Sequence, residues 1–467
     1  MKNVTQAMLN KFVESFVQKT TMAPSTASFL IKNKATRKLI EPRLMKRIEE
    51  EIEKLPYSKA EKIDKVLYVK SLVKRGFDMF PEFSSATRKS IITSLVAKSF
   101  LDNIQTREEF RKKYGDAYPA LVVISPTYRC NMVPICDGCY ASGHAKRKDE
   151  EMSFELIDRF ITDMEKEWND NFFVITGGEP FVRTDMLKIY AKHPESIFMI
   201  YTNGTLLTKA MAKKLAKLGN AMPAISIEGL EKDTDSRRNA GIHKKVLQAM
   251  DNLREAGVAF GFSVTATPNN YKVLASDIFF KQVMDKGCTF GWSFICGPYG
   301  HNPTTDLMLT PKQRIEYRDA LRTMREKYMF PIADFWNDGP LAHGCMAAGT
   351  KYFHLNAYGD IEPCAFAQFS AGNLQKDIYD KGLSISAIMD LPLFKAIREG
   401  QKKIKNPLRP CVVIDHPEIL REAVRKTGAK PSGVGTDAIV KDKIASFLDN
   451  YAKGLEKETH EKAKKYV

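Results

Sequence analysis

The sequence predicts an α/β fold organised around a parallel sheet, either doubly wound or an incomplete barrel. Two observations carry this. From about residue 119, six short apolar runs alternate with amphipathic stretches of helical period. Residues able to do chemistry recur just after the apolar runs, where loops converge above the strand ends of parallel sheets.

The expected strands are Ala120–Ser125, Phe172–Thr176, Ile197–Tyr201, Ala224–Ile227, Phe260–Thr265 and Thr289–Ile295. Between them the spacing predicts helices at Ser153–Trp168, Asp185–Lys192, Thr208–Leu218, Lys244–Ala256 and Lys272–Asp285. Ser153 and Thr208 suit N-caps, because a side-chain oxygen can take a free amide of the first turn. Gly219 and Gly257 suit helix stops. Thr310-Pro311 opens a further helix to about Tyr328.

Around this centre the pattern divides the chain into four parts. Residues 1–115 read as helices, at Leu44–Leu55, Lys59–Phe77 and Thr87–Leu101, punctuated by Pro56 and Pro81. Residues 116–335 hold the β-α units, 336–420 loosen into turns and short strands with three cysteines, and 421–467 end in a Lys-rich helical tail. The net charge is +16, and about 24 Lys/Arg against about 13 Asp/Glu fall in residues 1–115. That asymmetry suits an anionic surface such as lipid headgroups, nucleic acid or an acidic peptide, and equally a solvated helical face.

Composition excludes a disordered chain and a disulfide scaffold. No run of eighteen apolar residues predicts a membrane-spanning helix. Lys11, Glu14 and Lys19 interrupt the N-terminal apolar stretch, unlike a secretory segment, so a cytoplasmic location is expected.

The strongest chemical signal is Cys130-Asn-Met-Val-Pro-Ile-Cys136-Asp-Gly-Cys139-Tyr140, directly after the first expected strand. Three thiolates on one short loop can hold three irons of a [4Fe–4S] cluster and leave the fourth open. Structural zinc would need a fourth ligand, for which His144 is close in sequence. The second signal, Thr176-Gly177-Gly178-Glu179-Pro180, ends the second strand, and its glycines would let backbone approach a ligand closely.

These residues resemble the radical S-adenosylmethionine (SAM) superfamily, over roughly residues 119–300 for the core and 340–415 for an extension. The resemblance implies a partial (β/α)6 TIM-like barrel whose reduced cluster cleaves SAM to a 5′-deoxyadenosyl radical. That radical attacks an unactivated C–H bond. Carried over, the cluster ligands are Cys130, Cys136 and Cys139, with Tyr140 near the adenine. Gly177, Gly178, Glu179 and Pro180 match the segment that meets the SAM amino group. Thr202 and Asn203 match the third strand tip, Ser226 and Glu228 the fourth, near the ribose, and Ser263 and Thr265 the fifth. Arg237 or Arg238, followed by Gly241, resembles an arginine reaching the SAM carboxylate. One departure is plain: five residues separate the first two cysteines, where the family has three.

Downstream, Cys345, Gly359 and Cys364 resemble the opening of the SPASM and twitch extensions, with Asp360–Cys364 and Gly372-Asn373 suiting a hairpin. The resemblance implies one auxiliary [4Fe–4S] cluster on Cys345, Cys364 and Cys411, with a fourth ligand from Cys296, Asp415, His416 or substrate. Cys288 reads as a buried, unreactive thiol, His301 and His343 as ordinary histidines, and Phe290, Trp292 and Phe294 as interior packing.

An external electron donor of ferredoxin or flavodoxin type is implied, and no nucleic-acid partner is expected. For substrate, the basic amphipathic N-terminal region points to a membrane lipid, its hydrocarbon chains functionalised or joined, with peripheral contact to the bilayer. The alternatives are a peptide or protein side chain, a small-molecule alcohol, or a metal-binding scaffold without catalysis.

Overall fold

The computed structural model describes residues 24–95, 109–110, 112–115, 117–144 and 151–466. Its centre is the parallel sheet: β1 (Val122–Thr127), β2 (Phe172–Gly177), β3 (Ile197–Thr202), β4 (Ala221–Ser226), β5 (Gly261–Ala266) and β6 (Gly291–Ile295) pair in sequence order. A seventh strand, β7 (Ile332–Asp334), adds parallel to β6 and was not foreseen. Its three residues are too few to show a period. The parallel order and the crossover helices give the partial barrel.

Each connection folds for local reasons. The helix Phe154–Glu167 starts where Ser153 accepts the Leu156 amide, and Lys209–Leu218 starts where Thr208 accepts that of Met211. Gly219 and Gly257 end their helices in the left-handed region, as expected. Thr310 and Gln313 form a reciprocal capping box that opens Pro311–Tyr328. The expected helix at Lys272–Asp285 is two helices, Tyr271–Leu274 and Asp277–Asp285, because Ser276 caps the second and breaks the run.

The N-terminal helices Pro24–Lys32, Lys34–Glu53 and Lys59–Met79 close the barrel floor. Leu30, Ile40, Leu44, Ile48, Phe80 and Phe83 share a core with Ile197, Met222 and Ala259, and with Phe172 and Phe290 at its edge. Those last five residues lie at the starts of β2 to β6. The amphipathic faces that suggested a bilayer surface are thus buried against strand ends. Of the expected helix Thr87–Leu101, residues 96–101 lie outside the described residues; the α-helical part is Ser85–Ser90.

After β7 the chain crosses to the other edge of the sheet. Strand β8 (His354–Leu355) pairs parallel to β1, and β9 (Asp360–Glu362) folds back on β8 as the expected hairpin. Then β10 (Gly372–Asn373) pairs with β9. The extension therefore continues the barrel sheet directly from the strand that leads into the three-cysteine loop. A wholly buried chain of side chains fastens the join. Ser125 Oγ lies 2.8 Å from His354 Nε2, and His354 Nδ1 lies 2.6 Å from Glu362.

The C-terminal helix Asp442–Ala463 packs back on Pro311–Tyr328. Among the described residues no helix is long and apolar enough to cross a membrane.

Candidate active site

The site lies at the C-terminal ends of the strands, in a cavity of about 210 Å³. Cys130, Cys136 and Cys139 line it together with Tyr140. So do Gly177, Gly178, Thr202, Asn203, Ser226, Ser263 and Thr265, each from a different strand exit or its neighbour. Arg237, Arg238 and Cys296 complete the polar wall.

The three-cysteine loop is pinned along its length. Asn203 Nδ2 donates to Asn131 Oδ1 at 2.8 Å and approaches the Cys130 sulfur at 3.9 Å. Asn239 Nδ2 donates to the Pro134 carbonyl at 3.0 Å, and the Asp137 amide donates to that of Arg237 at 3.3 Å. Ser142 Oγ donates to the Cys139 carbonyl at 2.8 Å and accepts the His301 amide at 2.9 Å. The two extra residues of this loop leave Val133 86 % and Ile135 50 % exposed, so the longer spacing is absorbed at the tip, away from the pinned ends.

The paired glycines line the cavity and also serve the cysteine loop. A Cβ on Gly177 would stand 2.2 Å from the Thr127 carbonyl oxygen, and one on Gly178 would stand 2.3 Å from that of Arg129. The Gly178 and Glu179 amides donate to those same two carbonyls at 2.9 Å each. Glycine is required so that the β2 turn can grip the root of the cysteine loop.

Glu179 and Glu228 are walls behind the cavity and do not line it. Glu179, wholly buried, accepts Thr202 Oγ1 and the Asn203 amide at 2.7 Å each and the Phe181 amide at 3.1 Å, tying two strand tips. Burial pushes its carboxyl up. Pro180 only opens the next turn, and Gly241 starts the helix Ile242–Ala256 with open space around it. Glu228 holds both candidate arginines: Arg237 Nη1 donates at 2.5 Å and Arg238 Nε at 2.7 Å to one oxygen, while the other accepts the Thr265 amide at 3.0 Å. Burial works against the Arg237 charge, but Glu228 and the neighbouring thiols outweigh it and its pKa rises. Tyr140 is anchored too, its hydroxyl 2.8 Å from Thr176 Oγ1 and accepting the Gly177 amide at 3.2 Å. Its pKa is pushed up to about 12 by burial.

A second cavity, about 430 Å³, lies between the floor helices and the extension, and Cys345, Cys364 and Cys411 all line it. Trp292, Phe335, Met346 and Tyr352 line both cavities and so form the partition between them. Trp292 and Phe294 therefore face the site, where the sequence suggested interior packing. Cys296 belongs to the barrel cavity: a Cβ on Gly138 would stand 3.0 Å from its sulfur. It is not among the residues around the second cavity. Asp415 is sealed in an ion pair with Arg314, and His416 meets Glu418 at 3.2 Å. Cys288 is buried and lines neither cavity, with its carbonyl accepting Arg75 Nε at 2.9 Å. His343 stacks on Tyr57, and His301 sits at the loop contact already described.

Both cysteine groups carry the donor chemistry of iron–sulfur ligands. The amide two residues on faces the sulfur at Cys364 and Cys411, at 3.4 Å each. The same i+2 amide contact serves Cys130, Cys139 and Cys345. Such amides stabilise thiolate over thiol and feed hydrogen bonds to a cluster's sulfurs. Without a cation, burial wins and raises the pKa of all five thiols, that of Cys364 to about 12. Among the described residues no three His, Cys, Asp or Glu side chains converge on a single-ion position. His144 lies stacked on Tyr128 at 4.0 Å between ring centres.

Residues 124–272 match the model of the radical SAM superfamily. The chain carries a radical SAM domain there. The match indicates a radical SAM enzyme, and that superfamily works with a [4Fe–4S] cluster and SAM. Among curated proteins the chain is 31 % identical over 155 residues to the Fe-coproporphyrin III synthase of Methanosarcina barkeri, covering 32 % of this chain and 38 % of that one. It is 22 % identical over 285 residues to the AdoMet-dependent heme synthase of the same organism, covering 55 % and 80 %. The chain thus spans well under half of the first relative and most of the second. Two solved structures share the fold at low identity. SuiB of Streptococcus suis bound to precursor peptide SuiA has a TM-score of 0.52, 16 % identity and coverage of 73 % and 80 %. The enzyme anSMEcpe with bound AdoMet has a TM-score of 0.51, 16 % identity and coverage of 73 % and 98 %.

Sequence reasoning missed the residues that hold these groups in place. Ser125, His354 and Arg314 belong to no motif, and only their three-dimensional partners reveal them. Tyr352, whose hydroxyl sits 2.6 Å from the Cys364 sulfur, gave no signal in the sequence either.

Proposed function

We propose that this radical SAM enzyme abstracts hydrogen from an unactivated C–H bond of an apolar substrate, with the hydrocarbon chain of a membrane lipid as the first candidate. Cys130, Cys136 and Cys139 hold the cluster in this reading, and Cys345, Cys364 and Cys411 hold an auxiliary one. When bound, the cluster and SAM supply one electron and a primary-carbon radical, chemistry no side chain can provide.

The chain's own residues do the rest. Arg237 and Arg238, fixed by Glu228, present positive charge where the SAM carboxylate would lie. Gly177, Gly178, Thr202 and Asn203 form the rigid edge that the amino end would meet, and Tyr140, Ser226, Ser263 and Thr265 that of the nucleoside. The fixed loop keeps these groups preorganised, and the closed floor excludes water from below. An external one-electron donor is needed.

The observation that carries the substrate reading is the partition. The same cavity is lined by Trp292, Phe294, Ile295, Phe335, Met346 and Phe366, an aromatic and aliphatic surface suited to hydrocarbon. The buried N-terminal helices remove part of the original argument for a bilayer surface, though their basic surplus remains. A second reading is a tetrapyrrole side chain, because the curated relatives include Fe-coproporphyrin III synthase and AdoMet-dependent heme synthase. A planar macrocycle would also suit aromatic walls.

The test is anaerobic turnover with SAM and a low-potential reductant. Three substrates are compared: a polar lipid extract, Fe-coproporphyrin III and a peptide library. Lipid-dependent release of 5′-deoxyadenosine with a mass change in a lipid chain supports the first reading. A product only from the tetrapyrrole or only from the peptides overturns it.

A further inference from the structure

Two buried donors packed on Phe366 have no acceptor among the described residues. Trp336 is 1 % exposed and lines the 430 Å³ cavity with Cys345, Cys364 and Cys411, yet its indole Nε1–H meets no partner among the described residues. Tyr299 is 7 % exposed and lines the barrel cavity, and its hydroxyl is likewise unpartnered.

Both rings pack on one residue. Phe366 lies 4.7 Å from the Trp336 ring and 5.2 Å from the Tyr299 ring, centre to centre, and its own amide points at the Cys364 sulfur at 3.4 Å. The two donors thus flank the segment that presents Cys364. After burial itself, the strongest influences on the Tyr299 hydroxyl are Cys411 and Cys364, then Asp415 and Cys296. The Trp336 carbonyl accepts Arg314 Nη2 at 3.2 Å, and Arg314 in turn holds the Cys411 turn through Asp415.

A buried donor without an acceptor is costly, and an indole N–H can do nothing but donate. An iron–sulfur centre offers many acceptors and no donors. We infer that Trp336 Nε1–H and Tyr299 O–H donate outer hydrogen bonds to the sulfurs of the centre held by Cys345, Cys364 and Cys411. They join the amides of Phe366 and Val413, and together they raise that centre's reduction potential by stabilising its more negative, reduced state. This rests on the auxiliary-cluster reading. Substrate bound at the same place is the competing explanation for the two empty donors.

The experiment uses the full chain carrying Cys130→Ala, Cys136→Ala and Cys139→Ala, reconstituted anaerobically with iron and sulfide so that only the extension can bind a cluster. Iron and sulfide content, the reduced-state EPR spectrum and its potentiometric titration are measured, alone and with Tyr299→Phe or Trp336→Phe. The expected result is full cluster occupancy in all three, with a lower midpoint potential and altered EPR line shape in each phenylalanine variant. Tyr299→Phe removes one oxygen and keeps the ring packed on Phe366, so it decides the matter if the tryptophan change disturbs folding. Unchanged potential and line shape in Tyr299→Phe overturn the inference. If the triple alanine chain holds no cluster while the wild-type chain still cleaves SAM, the auxiliary reading itself fails and the inference with it.

Discussion

Arg314 and Asp415, one hundred and one residues apart and both fully buried, meet through two hydrogen bonds of 2.5 and 3.2 Å. The second carboxylate oxygen also accepts the Cys411 amide at 3.0 Å, so one ion pair joins the helix Pro311–Tyr328 to the turn that carries the last cysteine. Removing one partner leaves a buried charge alone, a loss on the order of 3–5 kcal/mol. Asp415→Asn is therefore expected to lower thermal stability sharply and reduce the iron retained by the extension. The double change Arg314→Met with Asp415→Leu removes both charges and is expected to recover much of the stability, but not the iron. Equal iron content in Asp415→Asn and wild type would remove the pair from any role in shaping the cysteine site.

Gly178 offers a sharper test of the barrel site. Alanine there would bring its Cβ within 2.3 and 2.6 Å of the Arg129 and Tyr128 carbonyl oxygens, both backbone, so the root of the cysteine loop must move. The rest of β2 is untouched, and the fold should survive with a cost of about 1–3 kcal/mol. The expected outcome for Gly178→Ala is a soluble chain that reconstitutes the extension's iron and loses most of that at Cys130, Cys136 and Cys139. Mössbauer or EPR quantitation separates the two centres. Normal occupancy at both would mean the loop tolerates displacement.

Those two cases also mark where the sequence was readable. The six strands and their helices were legible because alternation of apolar runs, N-cap Ser153 and Thr208, and stop Gly219 and Gly257 are local signals. The cavity residues were legible for the same reason: each lies a residue or two past a strand, and the sheet order brings strand tips together. What could not be read were pairings at long range. Arg314 looks like an ordinary helix arginine until Asp415 is seen beside it. The basic helices at the start have the amphipathic pattern of a surface element, and nothing local says that their apolar face meets Ile197, Met222 and Ala259.

Glu228 is expected to matter for SAM binding without touching it. One of its two buried oxygens organises Arg237 and Arg238, each largely shielded from water. Glu228→Gln keeps the size and one acceptor but leaves two neighbouring guanidinium groups without their counter-charge. A fall in SAM affinity of about tenfold to a hundredfold is expected, corresponding to roughly 1.4–2.8 kcal/mol. Equilibrium dialysis with SAM on the reconstituted chain measures it. An unchanged affinity with a lowered melting temperature would assign Glu228 to stability alone.

Asp334, at the end of β7, supplies a pH test that needs no cofactor. Its carboxylate lines the larger cavity and accepts only Asn337 Nδ2, at 3.0 and 2.9 Å, among side-chain donors. Burial first, and then Asp338, raise its pKa from 3.8 to about 6. An acid whose folded pKa lies above its unfolded value holds its proton better when folded. Its stabilising contribution is therefore complete below about pH 4 and is lost as pH rises through about 6, a swing of up to about 3 kcal/mol. Asparagine at this position keeps the hydrogen bond from Asn337 and cannot ionise. Asp334→Asn should accordingly melt close to wild type at pH 4.5 and clearly higher at pH 7.5. If both chains lose or gain stability in parallel across that range, the carboxyl is ionised throughout and Arg314 and Arg325, not burial, govern it.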